Sequence, residues 1–118
     1  MNTITLELEQ MKAAAAQACG LMKVLSNPDR LMLMCQLSQG EKRVGELEEL
    51  LQISQPTLSQ QLTVLRDEGL VSTRREGKNI YYQLISPPAL ALMQALYQQF
   101  CGKSTDSTNP TESADSKD

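Results

Sequence analysis

The sequence predicts a mainly α-helical chain that carries one small β-hairpin. Three observations predict it. Apolar residues recur at steps of three and four through most of the chain, helix-start signals interrupt them at Ser26-Asn27-Pro28-Asp29, Ser54-Gln55-Pro56 and Ser86-Pro87-Pro88, and alternation of period two is confined to the stretch from Leu70 to Leu84.

At 118 residues the chain is sized for one domain, expected over residues 1–101. Residues 102–118 hold no aliphatic side chain larger than Ala114 and are rich in Ser, Thr and Asp, so they are expected to form a disordered acidic tail. The net charge of −3 divides unevenly: residues 102–118 carry −2, whereas residues 54–101 carry +1 with their cations gathered in the hairpin. The global field is weak, so any affinity for a polyanion has to come from local placement and from two copies of the chain. No apolar run reaches the ~18 residues that would suggest a membrane span, and the N-terminus lacks the order of a signal peptide; a cytoplasmic protein with no membrane partner is expected. Three cysteines in a reducing compartment are core thiols, metal ligands or redox sensors rather than a disulfide frame. The absence of histidine excludes Ser-His-Asp and Cys-His catalysis and the imidazole ligands of most zinc sites. Neither enzymatic activity nor a cofactor is expected.

Taken in order, Leu6 to Leu25 reads as a first helix whose seam is Leu8, Met11, Ala15, Ala18, Met22 and Leu25. Its run Ala13 to Ala16 gives a flat surface that suits packing on a partner subunit or on its own domain. Pro28 at a first helical position and Asp29 in the first turn start a second helix, apolar almost all round through Leu31 to Leu37 and ending near Gly40. Val44 to Leu51 form a short amphipathic third helix, with Val44, Leu47, Leu50 and Leu51 inward. Gln52 and Ile53 then turn into the stretch Ser54 to Gly69, where Leu58, Leu62 and Leu65 make one apolar stripe and Gly69 suits a left-handed C-terminal cap. Two short helices joined so tightly form a helix-turn-helix unit. Gln52 stands at the turn where a glycine is usual, which predicts either a strained backbone there or a slightly different crossing angle of the two helices.

The exposed side of the fourth helix offers amides and hydroxyls from Ser54, Gln55, Thr57, Ser59, Gln60, Gln61 and Thr63. Gln pairs bidentately with adenine, and hydroxyls meet base edges or phosphates, so this face suits a DNA major groove. Leu70 to Arg75 and Ile80 to Leu84 read as two strands of a hairpin joined through Glu76-Gly77-Lys78-Asn79. Arg74, Arg75 and Lys78 bring three cations near its tip, where phosphates or a minor groove could receive them. A last helix, Ala89 to Cys101, sets Ala89, Leu92, Leu96 and Phe100 on one side and Met93 and Tyr97 on its flank. That apolar width exceeds one small domain's need, so this helix and the first are the candidate dimer interface.

This order of elements, together with Leu25-Ser26-Asn27-Pro28-Asp29-Arg30-Leu31, Val44-Gly45-Glu46-Leu47, Ser54 to Gln60 and Leu65-Arg66-Asp67-Glu68-Gly69-Leu70-Val71, resembles the ArsR/SmtB family of bacterial winged-helix repressors. The resemblance covers roughly residues 8–101. It implies a winged helix-turn-helix of five helices and a two-stranded wing, working as a homodimer on an inverted-repeat double-stranded DNA operator and released by an inducer. Gln61 stands where many members have histidine. The Cys-x-Cys of metal-sensing members is replaced by Arg43-Val44-Gly45-Glu46, and the His-containing site of the last helix cannot exist here. Cys35 and Cys101 instead are similar to the cysteine pair of the sulfide- and persulfide-responsive subgroup, the BigR/SqrR type. The resemblance implies that reactive sulfur species or an oxidant would bridge Cys35 and Cys101, with no metal bound. The alternatives are a soft-metal or metalloid sensor using the thiolates of Cys19, Cys35 and Cys101, a thiol-dependent enzyme, and an interaction module that never touches DNA.

Overall fold

The computed structural model describes residues 3–101. The expected tail, residues 102–118, lies outside the described residues. Five helices and three strands follow in the order α1 (Thr3–Leu25), α2 (Pro28–Leu37), β1 (Lys42–Arg43), α3 (Val44–Leu51), α4 (Gln55–Asp67), β2 (Val71–Glu76), β3 (Asn79–Leu84) and α5 (Pro87–Phe100).

Helices α2 and α5 start on side chains that cap their first turns, and a reciprocal carboxylate contact marks the start of α3. The Asn27 side chain accepts from the Arg30 N–H at 3.0 Å and Pro28 follows directly, fixing the first turn of α2. Ser86 Oγ accepts from the Ala89 N–H at 3.2 Å ahead of α5, which begins at Pro87 rather than at Ala89 because both prolines fit its first turn. At α3 the Glu46 carboxylate reaches back to accept from the Arg43 N–H at 2.9 Å. Ser54 caps α4 through its carbonyl, which accepts from the Leu58 N–H at 2.8 Å, while its side chain makes no capping bond. That helix closes as a Schellman motif: Leu70 N–H donates to Leu65 O and Gly69 N–H to Arg66 O, both at 3.0 Å, with Gly69 at φ 78°. Of the two alternatives at the turn from α3 into α4, the backbone shows the strained one. Gln52 sits at φ 56°, ψ 39°, in the left-handed region.

The core is one cluster in which Leu33 and Met34 of α2, Leu47 of α3, Leu58, Leu62 and Leu65 of α4 and Met93 of α5 are fully buried, joined by Val71 and Tyr82 of the strands. The stripe of α4 is therefore the inward one read from its spacing, and no polar or charged residue among those described is buried. On α5 the inward face runs through Ala89 and Met93, not toward Phe100, so Met93 is a core residue rather than a flanking one. Helix α1 contributes chiefly its last turns: Leu25 is buried and Leu21 and Val24 pack at the core's margin, whereas Glu7 to Gly20 are exposed.

The expected two-stranded wing gains a third strand. β3 is central, with β2 on one side and β1 on the other, all antiparallel. β1 pairs Lys42 with Tyr82 and Arg43 with Tyr81. Two residues are too few to show an alternating pattern, which is why no strand is expected there from the residues alone. Gly77, at φ 65° in the first central position between the paired Glu76 and Asn79, supplies the backbone that a type II′ turn requires.

Candidate nucleic-acid interface and thiol pair

Helix α4 is amphipathic because Leu58, Leu62 and Leu65 bury one stripe, which turns its polar residues outward. Ser54, Gln55, Ser59, Gln60 and Thr63 are exposed; Thr57 and Gln61 are half-buried. Two of the exposed groups are preset along the helix. Ser59 Oγ donates to Gln55 Oε1 at 2.8 Å, and Thr63 Oγ1 donates to the Ser59 carbonyl at 2.9 Å. Gln61 differs from the rest: its Oε1 accepts from Arg30 Nη1 of α2 at 2.9 Å.

Between α4 and the wing runs a groove of about 400 Å³ lined by Gln55, Ser59 and Leu62 on one wall and Lys78, Asn79, Ile80 and Tyr82 on the other, with Arg43, Val44 and Gly45 at its end. Arg43 is a cation of this groove that sequence reasoning misses. Its guanidinium lies over Gly45, where an added Cβ would come within 2.5 Å of Nη1. The basic dipeptide Lys42-Arg43 is the one local signal, but only pairing of β1 with β3 brings it beside α4.

The three wing cations are not equivalent. Arg75 and Lys78 are exposed, and Lys78 lines the groove. Arg74 is exposed too but is paired: it donates to both carboxylate oxygens of Glu41, at 2.8 and 2.9 Å, and to Glu76 at 2.9 Å, and its guanidinium lies 4.3 Å from the centre of the Tyr81 ring. The hydrogen bonds from Arg74 hold the Glu41 carboxyl below its usual range, and those same carboxylates push the Arg74 guanidinium further up. Arg74 thus ties β2 to the segment entering β1, a bracing position that adds little free positive charge.

The three cysteines are thiols rather than disulfides. Cys19 is exposed on α1 and Cys101 is exposed at the C-cap of α5, where its N–H donates to the Tyr97 carbonyl at 2.7 Å. Cys35 is half-buried on the α5-facing side of α2, its Sγ 3.8 Å from Met93 Sδ. Burial pushes the Cys35 thiol up, and the negative charge of Cys101 pushes it further. Cys101 therefore lies within electrostatic range of the Cys35 thiol. Among the described residues no group of three or more His, Cys, Asp and Glu side chains could hold a metal ion, so Cys19, Cys35 and Cys101 do not converge within one chain. No helix among them is long and apolar enough to cross a membrane.

Residues 27–73, from the start of α2 into the wing, match the family model described as "Bacterial regulatory protein, arsR family". The chain is 54% identical over 94 residues to the Biofilm growth-associated repressor of Agrobacterium fabrum, covering 80% of each protein. Among solved structures it is similar to the transcriptional repressor BigR from Xylella fastidiosa, with a TM-score of 0.74 and 53% identity over 79% of this chain and 95% of that one. Reduced HlyU from Vibrio cholerae matches with a TM-score of 0.75 and 39% identity over 79% of this chain and 98% of that one.

Proposed function

The chain belongs to the arsR family of bacterial regulatory proteins, which are DNA-binding transcription regulators and not enzymes, and from that premise we propose that it is a cytoplasmic homodimeric repressor released by thiol oxidation. Two copies would set two α4 helices in successive major-groove half-sites of an inverted-repeat operator. Ser54, Gln55, Thr57, Ser59, Gln60 and Thr63 would meet base edges and nearby phosphates, and Arg75, Lys78 and Arg43 would meet the backbone. The dimer would be built from α1 and α5, whose Met11 and Phe100 are 65% and 79% exposed in the single chain.

The observation that carries the switch is the facing of Cys35 toward α5, at whose end Cys101 lies within electrostatic reach. The exposed Cys101 is the accessible first nucleophile, since Cys35 is half-buried and its thiol is pushed up. Its thiolate attacks the outer sulfur of a persulfide R–S–SH, giving Cys101–S–SH and releasing R–S⁻. The Cys35 thiolate then attacks the Cys101 sulfur, closing a disulfide and expelling HS⁻; the persulfide is reduced to a thiol and hydrosulfide, and the two cysteines are oxidised. A bridge needs Cα atoms within about 7 Å, so closing it draws the end of α5 against α2. Because α2 packs on α4 and α5 belongs to the dimer contact, that movement would alter the spacing of the two reading helices and lower affinity at both half-sites. One of the similar structures is described as reduced HlyU, and a protein with a distinct reduced form fits a redox-responsive regulator.

The test is operator release by persulfide in three serine variants. Cys35→Ser and Cys101→Ser should each bind operator and ignore the inducer, while Cys19→Ser behaves as the parent. Release that persists in both Cys35→Ser and Cys101→Ser would refute the switch, and dependence on Cys19 would point to a three-thiolate site instead.

A further inference from the structure

Arg30 occupies an unusual position for a cation. It lies in the first turn of α2, half-buried, and its guanidinium is fixed at two points: Nε donates to the Val24 carbonyl at the end of α1 at 2.6 Å, and Nη1 donates to Gln61 Oε1 of α4 at 2.9 Å. Both acceptors are neutral. No carboxylate among the described residues lies within 4.0 Å of it, in contrast to Arg74, which is bound to two. A planar guanidinium held by two of its edges keeps its remaining N–H groups aimed in a fixed direction, at small further entropy cost on binding. That direction is set by its surroundings. Arg30 lines a shallow depression of about 490 Å³ together with Ser59, Gln60, Gln61 and Thr63, so the charge opens onto the polar face of α4.

We propose that Arg30 is a preset clamp for a DNA backbone phosphate beside the reading helix, and that Gln61 is the positioning residue that holds it rather than a reader of bases. A half-buried cation with only neutral partners gains a full counter-charge when a phosphate enters, and guanidinium and phosphate match in a bidentate, charge-assisted geometry. Gln61, with its carbonyl oxygen committed to Arg30, lacks the acceptor half of the bidentate amide pattern that pairs with adenine. The clamp also joins three elements at one point: the last turn of α1, the start of α2 and the middle of α4. A shift of α1 would therefore move the phosphate-binding group along with it.

The proposal rests on DNA binding by the chain, and the experiment separates the two by including the parent protein on the same duplexes. Binding is measured from low to moderate salt on a duplex selected from a random library by the parent, and on a random-sequence duplex. Arg30→Gln should weaken both to a similar degree and lower the slope of log affinity against log salt by about 0.9 for each phosphate that is no longer neutralised, so by roughly twice that for a dimer. Arg30→Lys should keep the parent's salt slope while binding more weakly, because charge remains and the two-point hold is gone. Gln61→Ala should weaken both duplexes without changing discrimination among single base substitutions. An unchanged salt slope in Arg30→Gln would overturn the clamp, as would a Gln61→Ala effect confined to particular base pairs. If Arg30→Gln does not fold, a scan of single neutral methylphosphonates decides: the parent should lose affinity at one more backbone position per half-site than Gln61→Ala, and identical profiles would refute the proposal. Failure of the parent to select any duplex would instead overturn DNA binding itself.

Discussion

Cys35 combines two features that would set the order of events in the proposed switch, namely partial burial on α2 and nearness to the charge that Cys101 carries when ionised. Its thiol pKa is raised above the ordinary value, first by burial and then by that charge. The folded state therefore holds this proton more tightly than the unfolded chain does. Cys35 contributes nothing pH-dependent to stability below the unfolded value of about 8.5, and stability falls as pH climbs above it toward the raised pKa. Alkylation of Cys35 should accordingly need higher pH than alkylation of a free thiol, and in Cys101→Ser its midpoint should move down while staying above the ordinary value. An unchanged midpoint would show that Cys101 exerts no field on it. A second residue whose cost is local is Gln52, held at φ 56°, with its backbone N–H donating to the Glu48 carbonyl and its exposed side-chain amide to the Glu49 carbonyl. Gln52→Gly should stabilise the fold by about 0.5–1 kcal/mol in urea unfolding, since glycine carries no Cβ penalty there. A fall in stability would mean that the side chain matters more than the backbone.

At the scale of elements, the wing and α4 should fail in different ways. Arg75→Ala and Lys78→Ala remove exposed charges and should weaken binding to all DNA while flattening its salt dependence. Gln60→Ala, at the outermost part of α4, should instead cost about 1–3 kcal/mol of base discrimination with little change in salt slope. Equal weakening on operator and random duplexes for Gln60→Ala would remove it from the reading set. The five helices and the hairpin are legible in the sequence because caps, the Leu58-Leu62-Leu65 stripe and the Gly69 and Gly77 turns act over a few residues. What is not legible depends on long-range pairing. Nothing local announces that Lys42-Arg43 pairs with Tyr81-Tyr82, that Glu41 captures Arg74, or that Arg30 reaches Gln61. Read along the chain, Arg74 groups with Arg75 and Lys78 as one cluster of cations, and the fold sets apart the arginine that is paired with Glu41 and Glu76.

Over the whole molecule, the apolar surface left on α1 and α5 is the feature a single chain does not account for. Leu8, Met11 and Met22 on α1 and Tyr97 and Phe100 on α5 are all exposed, whereas Ala89 and Met93 of the same α5 are buried in the core. Deleting α5 would therefore unfold the chain and test nothing about assembly. Tyr97→Glu combined with Phe100→Glu changes only the exposed face and should yield a folded monomer by ultracentrifugation, with far-UV dichroism retained and operator affinity abolished. A dimer that survives these charges would move the interface elsewhere. The family resemblance points to the thiol pair without any fold, and what spacing alone cannot give is the packing that sets Cys35 of α2 3.8 Å from Met93 of α5, the helix that ends at Cys101.

The most direct test of the proposed switch is peptide mapping by mass spectrometry of persulfide-treated protein, run in parallel with operator binding on the same sample. The account predicts a Cys35–Cys101 linkage that rises in step with DNA release and reverses with a reductant, leaving Cys19 outside the bridge. DNA release without that linkage, or the linkage with operator still bound, would contradict it.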